Sequence, residues 1–429
     1  MRALALIDGE HYPEVVRAAF TETTYEVVGA VMLGGTEKLR EGAEYGVPLY
    51  ESLESGLRES RAEVVLDLSD EPILDAKRRF RLASRVLVAG LPYVGADFRF
   101  DPVEFEPFGL PALGIIGSGK RVGKTAVAGH VARLLSSSRE VVVVAMGRGG
   151  PAEPVVTEAE PTVEDLLALS RAGTHAASDY LEDAALARVV TVGARRCGGG
   201  LAGAPFVSNV ASAARLAASL APDLVIFEGS GAAIPPVATG RRILVAGAGQ
   251  DPATVAGYLG AYRLLLSDLV VLTGCEEPLA DLGQVDRLRA AIADVNPDLP
   301  VVATVLRPSP VESVGGRKVA YFTTAPEQIH ERLRHHLEEE HGAEVVSLSG
   351  SLSRRGELRS ELEAAAGDAE VFLVEIKAAA IDVVAEAASE RGLPVVFCDN
   401  EVRPLDGEAD LDAQIVALAD AVSTERVPA

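Results

Sequence analysis

Leu113-Gly-Ile-Ile-Gly117-Ser118-Gly119-Lys120-Arg121-Val122-Gly123-Lys124-Thr125, followed by the helical-looking Ala126–Leu135, decides how the rest of this chain is read. A short apolar strand, a glycine-rich loop and a helix in that order form a phosphate cradle. Loop N–H groups and the helix N-terminus face the anion, the lysine reaches the β- and γ-phosphates, and the threonine hydroxyl ligates Mg2+. Gly117, Ser118, Gly119, Lys120, Arg121, Val122, Gly123, Lys124 and Thr125 are therefore expected to line a nucleotide, with Thr125 on the metal. The spacing departs from G-x-x-x-x-G-K-[ST], because position 118 is Ser and the first glycine is Gly117, one residue early.

A metal held at such a loop needs a carboxylate at the end of a neighbouring strand. Leu224-Val-Ile-Phe-Glu228-Gly229-Ser-Gly231 provides one: an apolar strand that stops at Glu228 before a glycine-rich turn. Two further segments read as anion loops. Val141–Met146 ends in Gly147-Arg148-Gly149-Gly150-Pro151, and Arg188–Val192 is followed by Gly193-Ala-Arg195-Arg196-Cys197 and more glycines. Arginine donates bidentate hydrogen bonds to phosphate oxygens, and flanking glycines let the backbone approach, so Arg148, Arg195 and Arg196 are expected to hold a second anion. Adjacent arginines in one loop would repel each other without an anion to share. Between these loops Gly173–Asp183 reads as a helix start whose polar groups are placed to touch substrate or metal, with His175 read as a cap rather than a base.

Outward from this centre the chain alternates short apolar runs with helical stretches, which predicts an α/β protein with parallel sheets. Residues 1–107 give strands at Ala3–Ile7, Val27–Leu33, Ala62–Leu68 and Arg85–Ala89, with a helix over Asp75–Ala83. Polar clusters follow these strands at Asp8–His11, Gly34–Lys38, Asp67–Asp70 and Gly90–Asp97, the edge where open α/β sheets bind ligands. Asp97–Pro111, with three prolines, reads as a linker. A P-loop NTPase-like core over 108–308 then has strands at Ala112–Ile116, Val141–Met146, Arg188–Val192, Leu224–Phe227, Ile243–Ala246, Leu269–Thr273 and Val301–Val305. Pro308 and Pro310 mark the next boundary, and 309–429 forms a C-terminal α/β domain with strands at Val319–Phe322, Val345–Leu348, Val371–Ile376 and Pro394–Cys398.

Charge narrows the partners. The 429 residues carry 40 Lys plus Arg against 63 Asp plus Glu, a net charge of −23, which disfavours nucleic acid because duplex binding depends on cationic neutralisation of phosphates. Yet residues 109–249 hold 13 basic and 11 acidic side chains, so a local site for small anions remains. Lysine is scarce, at six against 34 arginines: Lys38, Lys77, Lys120, Lys124, Lys318 and Lys377. Three separated cysteines give neither a disulfide framework nor a zinc site, and a reducing, cytoplasmic setting is expected. No apolar run reaches 18 residues, so no membrane span is expected, and a homo-oligomer is compatible with the sequence.

The loop with its extra residue, together with the later Glu228-Gly-Ser-Gly231, resembles the dethiobiotin synthetase and cobyrinate amidase branch of P-loop proteins. The deviant loop of chromosome-partitioning ATPases fits less well, since Lys120 stands four positions before Lys124 rather than five. More closely, the chain resembles the cyclic 2,3-diphosphoglycerate synthetase family through Ile7–Pro13, Gly34–Lys38, Ile116–Thr125, Val144–Pro151 and Ser178–Asp183. That resemblance implies ATP and Mg2+ as cofactors and 2,3-bisphosphoglycerate as the small-molecule substrate. An ATP-dependent ligase would join the two substrate phosphates into an intramolecular anhydride, releasing ADP and phosphate. Lys124 would then steady the transferring phosphoryl group, Thr125 and Glu228 the magnesium, and Arg148, Arg195 and Arg196 the substrate, with Lys120 adding charge between the two. Two alternatives stand beside it: a ligase or kinase of the same branch acting on a different oxyanion, and a nucleotide-switched regulatory ATPase. The second usually docks through a basic amphipathic helix, whereas the C-terminal Asp406–Ala429 is acidic.

Overall fold

The computed structural model describes residues 1–38, 44–158, 160–365 and 367–424, which fall into two compact units. The first comprises Met1–Glu104, Asp251–Leu266 and Ala291–Pro297, and the second Phe105–Gln250, Ser267–Ala290 and Asp298–Ala429. Among the described residues no helix is long and apolar enough to cross a membrane.

The first unit is built on six strands: β1 (Arg2–Ile7), β2 (Glu26–Met32), β3 (Leu49–Tyr50), β4 (Val64–Asp67), β5 (Tyr93–Val94) and β6 (Arg99–Phe100), in the order β3-β2-β1-β4-β5-β6. All neighbours run parallel except β5 and β6. β1 is buried from Ala3 to Ile7, which is why that run is apolar without alternation. The expected strand at Arg85–Ala89 is instead the last turn of a helix, Ala76–Val88. Asp75 caps that helix by accepting the Arg78 N–H at 2.7 Å, and Ala83, Val86 and Leu87 repeat at helical spacing on its buried face. The strand comes later, at β5, after Gly90 turns the chain with φ 78°.

The second unit has one large sheet. Its strands are β7 (Ala112–Gly117), β8 (Val141–Gly147), β9 (Val155–Thr157), β10 (Val190–Cys197), β11 (Val207–Ser208), β12 (Leu224–Glu228), β13 (Arg241–Gly247), β14 (Leu269–Thr273), β15 (Val301–Pro310), β16 (Lys318–Phe322), β17 (Glu344–Ser349), β18 (Val371–Val374) and β19 (Val395–Pro404). The order is β11-β10-β8-β12-β7-β13-β14-β15-β19-β18-β16-β17, with β9 paired to β10. From β10 to β15 the strands are parallel, β15 meets β19 antiparallel, and β19, β18, β16 and β17 are again parallel. Pro308 and Pro310 lie inside β15 and do not interrupt the sheet. They occupy the stretch where β19 is the paired strand, beyond the Val301–Ala303 pairing with β14, so their missing N–H groups have an open side to face. Helix Lys124–Ser136 covers one face through Val127, Val131 and Leu135 against Leu113, Ile115, Val143 and Ile226. Helix Val210–Ser219 covers the other, where Phe108 packs edge-on to Phe227 at 5.1 Å.

Candidate functional site

β7 lies between β12 and β13, buried along its whole length, and delivers Gly117 to the carboxyl edge. A Cβ at Gly117 would lie 2.7 Å from the Gly231 carbonyl oxygen, so no larger residue fits. The loop that follows is tied down by neighbouring strands. Ser118 N–H donates to the Val245 carbonyl at 2.9 Å, and Thr273 Oγ1 donates to the Val122 carbonyl at 2.8 Å. Gly123, at φ 74°, turns the chain into the 13-residue helix that begins at Lys124. That helix start has no side-chain cap and no acid in its first turn, so its N–H groups and partial positive charge are left for an anion. Lys120 and Arg121 are exposed on the loop, Val122 is buried, and Thr125 is half-buried in the first turn of the helix.

Lys124 is buried and its Nζ pairs with Glu228 Oε1. β12 ends at that carboxylate, set between Ile115 of β7 and Ala145 of β8. Glu228 Oε2 is buried without a hydrogen-bond partner, and so is Asp183 Oδ2. Burial first, and then the charge of Glu228, holds the Asp183 carboxyl well above the ordinary carboxylate range. Asp183 belongs to helix Asp179–Ala187, where Asp179, Glu182 and Asp183 share one face at i, i+3 and i+4. Asp179 is raised by burial and by Glu228, against the pull of Lys124 and Lys377. Glu182 receives Lys377 Nζ on both oxygens, at 2.7 and 3.1 Å, and burial still pushes its carboxyl up to about 7.

The arginines divide. A Cβ on Gly231 would lie 3.1 Å from Arg148 Nη2 and 3.6 Å from Arg196 Nη2, so these two converge on the turn after Glu228. Arg196 donates to the Gly198 carbonyl at 2.7 Å and the Ser230 carbonyl at 2.7 Å, while its Nε is buried without a partner. Burial and the neighbouring Arg148 charge lower the Arg196 pKa, as expected where two cations share a space made for an anion. Arg195 is placed differently from the sequence expectation. β10 continues through Cys197, paired with β8 as far as Arg195 and then with β11, so the two arginines lie in a strand and not a loop. Successive strand residues point to opposite faces, which separates Arg195 from Arg196. Arg195 is exposed and its N–H donates to Asn209 Oδ1 at 2.7 Å. His175 is exposed beside Gly149.

The carboxyl edge of the sheet thus gathers Lys124, Glu228, Arg148 and Arg196 with the acid face of one helix. It leaves Lys120 exposed and Arg195 on the far face of its strand. Lys377, one of six lysines in the sequence, supplies a second, half-buried ion pair to that face; its partner is 195 positions away in sequence, so no local pattern announces it.

Three family models match the chain: "Cyclic 2,3-diphosphoglycerate synthetase, N-terminal domain" over residues 2–101, the P-loop domain of the same synthetase over 112–305, and its C-terminal domain over 310–401. Among curated relatives, a protein of Rubrobacter xylanophilus named cyclic 2,3-diphosphoglycerate synthetase is 53% identical over 416 residues, covering 94% of each chain. Proteins of the same name from Methanothermus fervidus (43% identical, 93% of this chain and 92% of the relative) and Thermococcus gammatolerans (44% identical, 94% of each) are also similar.

Proposed function

The chain belongs to the cyclic 2,3-diphosphoglycerate synthetase family, and from that membership we propose that it is an ATP-dependent ligase that closes 2,3-bisphosphoglycerate into its intramolecular phosphoanhydride. In atoms, the γ-phosphoryl of ATP passes to an oxygen of one substrate phosphate and ADP leaves. An oxygen of the second phosphate then attacks the ester-bearing phosphorus of the first. The P–O–P bridge forms as the bond to the transferred group breaks and orthophosphate departs.

The observation that carries this reading is the position of Gly231. Its carbonyl abuts Gly117 of the phosphate loop, and its α-carbon faces Arg148 and Arg196. This proximity supports two anion sites that share one backbone turn, as joining two phosphates requires. Phosphoryl transfer depends mainly on positioning and charge, so no general base is needed. Lys124 and the open helix start steady the nucleotide phosphates, and the unpartnered Nε of Arg196 donates to the bisphosphoglycerate. The orphaned Glu228 Oε2, with the Thr125 hydroxyl at the helix start, forms a hard-oxygen donor pair of the kind magnesium takes alongside phosphates and water. When bound there, magnesium would supply charge neutralisation to the transferring phosphates. The division of labour among residues 1–107, 108–308 and 309–429 is part of this proposal, as is a cytoplasmic setting, which the free Cys197, Cys275 and Cys398 suit.

Arginine variants test the shared turn. Arg148→Ala and Arg196→Ala each lose a charged contact to phosphate, roughly 1.5–3 kcal/mol, and should raise KM for 2,3-bisphosphoglycerate about tenfold to a hundredfold. Arg195→Ala should leave it within about twofold. Unchanged KM in both of the first two variants, with cyclic product still formed, overturns the assignment.

A further inference from the structure

Lys377 is carried by the loop after β18, within the stretch matched by the C-terminal domain model. Its backbone is pinned. Its N–H donates to the Glu375 carbonyl at 2.8 Å, its carbonyl accepts from Ala380 N–H at 2.9 Å, and the Ala379 N–H reaches the Leu352 carbonyl. Glu375 is in turn buried and held by Thr323 Oγ1, Thr324 N–H and Asn400 Nδ2. From this fixed base the ammonium crosses to helix Asp179–Ala187 and gives two hydrogens to the two oxygens of Glu182. The side chain as a whole remains 31% exposed, and an ammonium has one N–H beyond the two that Glu182 accepts.

The position of that third donor follows from its neighbours. Asp179, one turn before Glu182, lies within the fields of both Lys377 and Lys124, and its Oδ2 comes within 3.4 Å of where a Cβ on Gly147 would stand, next to Arg148. Lys377 thus pairs with the acid face one turn from the residue that adjoins the Gly147-Arg148 turn. An acid face bordering a pocket for a bisphosphate is unfavourable unless cations answer it. Burial alone would lower the lysine pKa, yet Glu182, Glu375 and Asp179 hold it above its ordinary value, so the ammonium stays charged.

We propose that Lys377 is a phosphate-recognition residue of the synthetase site, positioned by Glu182, so that the C-terminal part of the chain supplies a cation to the bisphosphoglycerate. This rests on the ring-closing reading above. A lysine suits the task, because its compact point charge can be shared between a carboxylate and a phosphate oxygen.

The competing explanation is that Lys377 only neutralises Glu182, and a double-mutant cycle separates the two. Full-length wild type, Lys377→Met, Glu182→Gln and the double variant are assayed with ATP, Mg2+ and 2,3-bisphosphoglycerate, scoring cyclic product and both KM values. Lys377→Met should raise KM for 2,3-bisphosphoglycerate about tenfold or more and leave KM for ATP within about twofold. In the double variant the carboxylate that Lys377 paired is gone, so thermal stability should recover while the raised KM persists. The double variant also carries the test should Lys377→Met fold poorly. A double variant with wild-type KM for 2,3-bisphosphoglycerate overturns the recognition role. If wild type itself forms no cyclic product, the ring-closing reading falls, and Lys377 with it.

Discussion

Lys124 and Glu228 pose an electrostatic problem that neither could meet alone. Each is almost fully buried, and an isolated charge there would cost several kcal/mol. Paired, they hold a lysine at the start of the helix after the glycine-rich loop and a carboxylate at the end of the adjacent strand, the two groups that the proposed phosphoryl transfer would use. Lys124→Ala should cut turnover at least about a hundredfold, since among the described residues the loop's other lysine, Lys120, is exposed. It also strands a buried carboxylate, a loss on the order of 3–5 kcal/mol. Stability should therefore return in Lys124→Ala/Glu228→Gln while activity does not, as read by thermal melting and ADP release. A Lys124→Ala protein that turns over normally removes the phosphate-loop mechanism.

Elements explain what single residues cannot. The helix Asp179–Ala187, in the segment whose polar groups are expected to touch substrate or metal, presents Asp179, Glu182 and Asp183 along one face, an acidic stripe that on most helices faces water. It is buried instead, because its partners arrive from positions 124, 228 and 377 on other elements. The strands were legible, since central parallel strands must be apolar on both faces, and Ala112–Gly117, Leu224–Glu228 and Leu269–Thr273 fall within a residue or so of their expected bounds. Two readings failed for want of long-range information. Arg85–Ala89 is apolar enough for a strand but continues a helix begun at the Asp75 cap, and Arg195-Arg196 is held extended by pairing with β8 and β11. The acid face also sets a pH dependence. Glu182 binds its proton more tightly folded, near 7, than its ordinary value of 4.5. Its stabilising contribution is therefore complete below about pH 4.5 and is lost as pH rises through about 7. The melting temperature should fall between about pH 5 and about pH 8, and Glu182→Gln should flatten that slope. An identical slope in the variant excludes Glu182 as its source.

At the scale of the second unit, one sheet runs from the arginine-bearing β10 through the phosphate loop on β7 to the C-terminal strands, with β15 and β19 joining the parallel stretches over seven paired residues. That continuity lets a loop after β18 place Lys377 against a helix beside the phosphate loop. The charge of the whole chain follows the same geography. A protein with net charge −23 nevertheless gathers Lys124, Arg148 and Arg196 around one turn, the place where the proposed reading puts small anions. The direct test of ring closure at that edge is a 31P NMR time course of the full-length protein with ATP, Mg2+ and 2,3-bisphosphoglycerate. ADP, orthophosphate and a new upfield anhydride resonance should grow together in equal amounts. ADP accumulating with no new anhydride signal would contradict the assignment.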